Sequence, residues 1–319
     1  MEITYNLILF LFGLSLLIFG SDYLIHASAK LASLFRLTPL FIGLVFIAFG
    51  TSLPEAVVSI VAGIKGHKEV ALGNILGSCI ANIGLVLGIC AFLFPLRIEK
   101  GIFRREVPLL LLCTFFVYLL GADLVLGRVD GFLLLIFFFF SLFLLYKGAK
   151  EDFSLSQISG FKFKQVFKRL NSRAMVLFFA LFSLFLVIGG ANLMLKAGLR
   201  LAEEFRISAW VIGISVFAIS TSLPELAASL SAGFRGFPSI GVGNVIGSNI
   251  FNILFILGVV SLIKPVNIQA GIWRFDFPVL LLFSLLLSVF MRTGYKISRA
   301  EGLLMFLGYL VFILLLIRK

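Results

Sequence analysis

Polar residues fall in short clusters along this chain, and the stretches between them stay apolar for about twenty positions at a time. A helix needs roughly 20 mostly apolar residues to cross the hydrocarbon of a bilayer. Ten stretches approach that length: 5–28, 38–64, 70–95, 106–126 and 129–147, then 174–199, 208–234, 240–263, 276–291 and 301–317. Strands of an outer-membrane barrel would instead alternate apolar and polar residues in segments of about ten. LLLIFFFFSLFLL at 133–145 shows no such alternation. The pattern predicts an all-α integral membrane protein with ten transmembrane helices. Composition agrees: 61% hydrophobic residues, 13% charged residues and a mean hydropathy of +1.15 lie far from water-soluble domains. The opening MEITYN lacks the positive charge of a secretory leader, so the first segment is read as a helix.

Two of these helices contain residues that spanning helices avoid. GTSLPEAVVSIVAG at 50–63 returns as STSLPELAASLSAG at 220–233, an offset of 170 without a gap. The same offset relates Gly73, Asn74, Gly77, Ser78, Asn82, Leu87 and Gly88 to Gly243, Asn244, Gly247, Ser248, Asn252, Leu257 and Gly258, and Pro108 to Pro278. The repeat implies a duplicated five-helix unit: residues 1–148, a central loop at 149–173, and residues 174–319. Because five is odd, the second unit enters the membrane from the opposite side. Inverted repeats with interrupted helices are the architecture of secondary transporters.

Proline at 54 lacks a backbone donor and crowds the carbonyl of Gly50, so helix 2 is expected to break there, and helix 7 at Pro224. Irregular backbone survives in hydrocarbon only where protein or a polar cavity satisfies it, leaving carbonyls around Ala48 and Thr51 available as ligands. A charged carboxylate at the membrane centre costs about 2.5–3.5 kcal/mol, and Glu55 facing Glu225 adds repulsion. A cation compensates both. Calcium takes about six to eight oxygens. Thr51, Ser52, Thr221 and Ser222 supply some; Asn74, Ser78 and Asn82, four apart on one face, and their counterparts Asn244, Ser248 and Asn252 supply more. Gly73 and Gly77, like Gly243 and Gly247, form small-xxx-small pairs that admit close packing against the broken helices.

The net charge of +12 does not indicate nucleic acid, because basic residues gather in alternate loops. Counting Lys30, Arg36 and Arg235 with the loops around 97–105, 147–173 and 292–299, one side holds 17 of 27 Lys and Arg. The positive-inside bias makes that side cytoplasmic, in a plasma (inner) membrane, with both termini extracytoplasmic. The central loop, with Phe161, Phe163 and Phe167 among lysines, is read as a solvated linker or an amphipathic surface helix. Asp22 and Asn192, at equivalent positions, line an ion path or pack. Asp123, Asp130 and Glu301 near span ends are read as solvated, and the phenylalanines at 137–140 as facing lipid. Cys79, Cys90 and Cys113 are odd in number and lack ligand spacing, which indicates buried thiols. His26 and His67, read as lying near helix ends, have no nucleophile partner, so no enzyme, cofactor or obligate protein partner is expected.

The paired GTSLPE…GNILGSCIAN and STSLPE…GNVIGSNIFN resemble the alpha-repeats of the sodium/calcium exchanger family, within the cation/calcium antiporter superfamily. The resemblance implies two inverted five-helix repeats that exchange sodium for calcium, with helices 1 and 6 swinging across the remaining core. It places calcium on Glu55, Glu225, Thr51 and Thr221. Sodium would draw on Ala48, Ser52, Ser78, Ala218, Ser222 and Ser248 with the same glutamates, and Asn82 and Asn252 would flank the middle. Asn252 stands where relatives often carry Asp, which argues against potassium coupling. Cys79 opposite Asn249, and Ser220 for Gly, are read as packing-level variation. The rival readings are a calcium/proton antiporter and a passive cation channel.

Overall fold

The computed structural model describes residues 2–66, 68–97, 100–151, 167, 170, 172–204 and 222–317. They form α1 (Glu2–Phe35), α2 (Pro39–Thr51), α3 (Leu53–Lys65), α4 (Lys68–Leu93), α5 (Lys100–Leu120), α6 (Arg128–Glu151), α7 (Arg173–Glu204), α8 (Leu223–Phe234), α9 (Pro238–Ile263), α10 (Ala270–Arg292) and α11 (Arg299–Ile317). Helices α2 and α3 are one span bent by 47° at Ser52, and α8 is the second half of the equivalent span. His67, Ala218, Ser220, Thr221 and most of the central loop lie outside the described residues.

The pseudo-symmetry is visible in two short strand ladders. Leu96–Arg97 (β1) pairs with Lys296–Ile297 (β4), and Val125–Leu126 (β2) pairs with Val266–Asn267 (β3), both antiparallel. Each ladder joins a loop of one repeat to a loop of the other. The offset of 170 changes near the second ladder partner. Asp130 accepts the Gly127 N–H at 2.7 Å, and Glu301, 171 positions later, accepts the Ser298 N–H at 2.7 Å. The extra residue falls in the turn before β4, where both Gly294 and Tyr295 are left-handed (φ 71° and 51°) and the first repeat has only Leu124 (φ 65°). Asp130 and Glu301 thus cap helices, a role beyond the solvation expected of them.

Two apolar clusters divide the interior. One unites α4, α5, α6, α9, α10 and α11; the other is built chiefly from α1 and α7 with Ile42, Ile47 and Ala228 of the broken spans and Ile240 at the start of α9. Helices α1 and α7 lie along one another and meet at Gly20 and Gly190, themselves 170 apart. A Cβ on Gly190 would stand 2.6 Å from the Leu17 nitrogen. Both helices exceed the expected spans: α1 has 34 residues and α7 has 32, about 50 Å each at 1.5 Å per residue. Beyond the expected end of the first span α1 continues through Ala29, Leu31 and Ala32, all buried, so Lys30 does not end it.

Further expectations change with side chains in view. His26 sits within α1, fully buried, and stacks on Phe167 at 5.8 Å between centroids, so Phe167 of the central loop is a packing residue. Asp22 forms an ion pair with Arg235, while Asn192 is exposed and donates to the Ile188 carbonyl at 3.0 Å. Phe139 and Phe140 face outward, but Phe138 is buried against Phe49, Phe251 and Phe255. The three cysteines are free and buried.

Candidate functional site

The break in the second span has a local cause. Ser52 leaves helical geometry (φ −85°, ψ 8°), and the chain restarts with Pro54 in the first turn of α3, where a missing N–H is tolerated. Ser222 repeats the same geometry (φ −90°, ψ 2°) before Pro224 in α8. Glu55 and Glu225 therefore occupy the first turns of two half-helices, at N-terminal ends whose partial positive charge favours anions. Both carboxylates are buried, at 1% and 0% exposure.

Side chains of the two repeats interlock around them. Ser52 Oγ donates to Glu225 Oε1 at 2.9 Å, Thr51 Oγ1 to Asn244 Oδ1 at 3.2 Å, and Ser248 Oγ to the Ala48 carbonyl at 3.5 Å. The amide of Asn74 donates to the Glu55 carbonyl at 3.3 Å and to Ser59 Oγ at 2.9 Å. Asn244 repeats this with the Glu225 carbonyl at 3.2 Å and Ser229 Oγ at 3.0 Å. Asn74 and Asn244 thus brace the backbone that carries each glutamate. The Ala48 carbonyl is not left open by the break as expected, since the Ser52 N–H also reaches it at 3.0 Å, beside the Ser248 hydroxyl.

What the network leaves unsatisfied defines its chemistry. Glu55 Oε2, Glu225 Oε2, Ser222 Oγ, Asn82 Oδ1 and both polar atoms of Asn252 are buried without a hydrogen-bond partner. Buried polar atoms are ordinarily paired, and an unpaired carboxylate oxygen is among the most costly exceptions. The set is dominated by oxygen acceptors, with no third acidic, His or Cys ligand among the described residues. Such a set suits a hard cation.

The surroundings are built for close approach and for irregular backbone. Gly243 and Gly247 face α2 so closely that a Cβ would stand 2.4 Å from the Leu40 carbonyl oxygen and 1.9 Å from that of Leu44. At Gly73 and Gly77 a Cβ would meet nothing within 4 Å among the described residues. Wide π-helical turns run from Ile42 to Ile47, Asn82 to Leu87 and Phe251 to Ile256. Such turns concentrate at functional sites, and nothing in the hydrophobic pattern predicts them. A separate cavity of about 750 Å³ opens between α1 and α8, lined mostly by apolar side chains, with Asp22 and Arg235 its charged members.

Of the residues singled out in the sequence, Thr51, Ser52, Glu55, Asn74, Asn82, Ser222, Glu225, Asn244, Ser248 and Asn252 fall in or beside this buried network, with Ala48 contributing its carbonyl. Ser78 is buried on α4. Three participants were missed. Ser59 and Ser229 hold the bracing amides and do repeat at offset 170, so comparing the halves position by position would have found them. Asn249 has no such signal.

The profile of the family described as sodium/calcium exchanger protein matches residues 5–147 and 175–318. The chain belongs to the sodium/calcium exchanger family. It is therefore a multi-pass membrane transporter of the cation/calcium antiporter type and not an enzyme. Two relatives span its length. The sodium/calcium exchanger MaX1 of Methanosarcina acetivorans is 33% identical over 98% of this chain and 99% of its own. The inner membrane protein YrbG of Escherichia coli is 32% identical over 97% and 95%. The solved structure of the sodium-calcium exchanger NCX_Mj, soaked with zero Na+ and Ca2+, superposes with a TM-score of 0.85 at 33% identity, covering 98% of this chain and 99% of that one. The exchanger fold of ten spans in two inverted repeats is thus this chain's fold.

Proposed function

We propose that this exchanger trades sodium for calcium by alternating access at a single shared site. The observation that carries the reading is the pair of buried glutamates on opposed half-helices, each with an unpartnered oxygen and ringed by hydroxyls and amides of both repeats. Calcium is assigned to Glu55, Glu225 and the backbone at Thr51 and Thr221. Sodium is assigned to the same carboxylates with Ala48, Ser52, Ser78, Ala218, Ser222 and Ser248, and Asn82 and Asn252 flank the centre. Two carboxylates balance one calcium ion or a set of sodium ions, and the shared oxygens cannot hold both loads. Competition alone then gives antiport. An empty site carries two bare charges and resists passage through a dry barrier, whereas a loaded one is close to neutral and passes. The separate α1–α7 cluster supports these helices as the moving element.

The repeats are assigned to 1–148 and 174–319 about a linker at 149–173, in a plasma (inner) membrane with both termini outside. The names of MaX1 and NCX_Mj support sodium as the coupling ion.

The deciding measurement is radioactive calcium uptake into sealed proteoliposomes driven by an outward sodium gradient or an outward proton gradient. Uptake with sodium that persists with a protonophore is the expected result. Uptake only with protons reassigns the site to calcium/proton exchange, and gradient-independent flux makes it a channel. In the same assay Ser52→Ala removes the hydroxyl that spans to Glu225. It is expected to weaken sodium competition at least about tenfold, the lower value of one hydrogen bond to a charged group, with folded protein unchanged.

A further inference from the structure

Cys79 and Asn249 occupy equivalent positions, 170 apart, and both are fully buried. They meet each other across the repeats. Asn249 Nδ2 donates to the Cys79 carbonyl at 3.1 Å, and Asn249 Oδ1 accepts from Asn82 Nδ2 at 3.1 Å. In return the Cys79 thiol stands 3.9 Å from the Asn249 carbonyl oxygen, and a thiol is a weak donor. One carboxamide thus bridges the contact, and only one repeat supplies it.

The two central amides, identical by register, become unequal as a result. Asn82 has its nitrogen engaged, so its orientation is fixed and Oδ1 is presented, buried and unpartnered. Asn252 has no such hold: neither of its polar atoms makes a well-formed hydrogen bond, and among the described residues only the Cys79 thiol, a weak partner, stands beside it. A held amide offers one chemistry, an oxygen, while an unheld one can turn either end by rotation about its terminal torsion. Position makes this relevant to the cargo. The π-helical turn that begins at Asn82 packs against α8, which carries Glu225, and the turn containing Asn252 packs against α3, which carries Glu55.

We propose that Asn249 is a positioning residue that divides the central amides into a fixed oxygen ligand for the transported cation, Asn82, and an adjustable partner, Asn252. The inference rests on the cation-site reading given above. It assigns different parts to two residues that the repeat would make equivalent, and it explains why the repeat is broken at position 249.

The test is sodium-driven calcium uptake by the full chain, resolved into KM and maximal rate per folded transporter. Asn249→Cys is measured alone and combined with Asn82→Ala or Asn252→Ala. Alone, it is expected to raise the calcium KM about fivefold, the loss of one positioning hydrogen bond, with the maximal rate within about twofold. On the Asn82→Ala background it adds nothing, and on Asn252→Ala it adds in full. The exchange variant Cys79→Asn/Asn249→Cys moves the bridge to the other repeat and transfers the dependence to Asn252. Equal increments on both backgrounds, or a fall in maximal rate alone, make Asn249 a packing residue and overturn the inference. Asn249→Ser is predicted to give the same pattern and replaces the cysteine variant if that fails to fold. Wild-type protein with neither sodium-driven uptake nor thermal stabilisation by calcium would instead sink the cation-site reading, an outcome separate from a failed bridge.

Discussion

Glu225→Gln is expected to abolish calcium uptake in sodium-loaded proteoliposomes, lowering the initial rate at least about 100-fold, and Glu55→Gln to do the same. Breaking a buried charge pair by removing one partner costs about 3–5 kcal/mol, and each 1.4 kcal/mol is a factor of about ten in affinity. Glutamine keeps the size and one oxygen, so Ser52 can still donate at this position. What disappears is half the negative charge facing the cargo. Without cargo the variants should be as stable as wild type or more so, because a bare buried carboxylate has been neutralised. Thermal unfolding with and without calcium measures this directly. The wild type gains stability with the ion and the variants do not. A variant that still transports at near wild-type rate removes that carboxylate from the site.

The second large effect concerns the crossing that holds the site together. Gly247→Leu, and even Gly247→Ala, places carbon 1.9 Å from the Leu44 carbonyl oxygen, and the obstacle is backbone, not a side chain that can turn aside. Over-packing of this kind costs about 3 kcal/mol, the upper end of its usual range. The expected result is loss of monodisperse protein in detergent or a clear drop in melting temperature. Gly308→Ala is the control, since its new methyl would meet only Phe283 at an ordinary 3.4 Å and replaces a helix-weakening residue. Equal behaviour of the two substitutions would mean that α2 and α9 are not packed as described.

How much of this was legible in the sequence depends on what the repeat could announce. Breaks at Pro54 and Pro224 follow from the loss of a backbone donor, and both Ser52 and Ser222 show them. The oxygen-bearing residues around the glutamates follow from the shared offset. The Cys79–Asn249 mismatch was read as packing-level variation because a comparison of halves rewards identity, while a contact between equivalent positions admits one bridging amide and leaves its counterpart different. The length of α1 was underestimated because Lys30 resembles a span end in hydropathy, whereas the helix runs on through Leu31 and Ala32, which are buried in the α1–α7 cluster. The register change after Thr293 is invisible to a motif search, since it falls in a turn where residue identity is loosely constrained.

The two strand ladders have a mechanical consequence. Through β1–β4 and β2–β3 the loops flanking α4, α5, α6, α9, α10 and α11 are fastened backbone to backbone between the repeats. Among the described residues α1 and α7 have no such fastening and are held chiefly by side-chain packing and the Asp22–Arg235 ion pair. Amide exchange should therefore proceed in two tiers. Protons at the ladders and in the helices between them wait for global opening, while α1 and α7 exchange together through a cheaper excursion in which this pair parts from a body that stays intact.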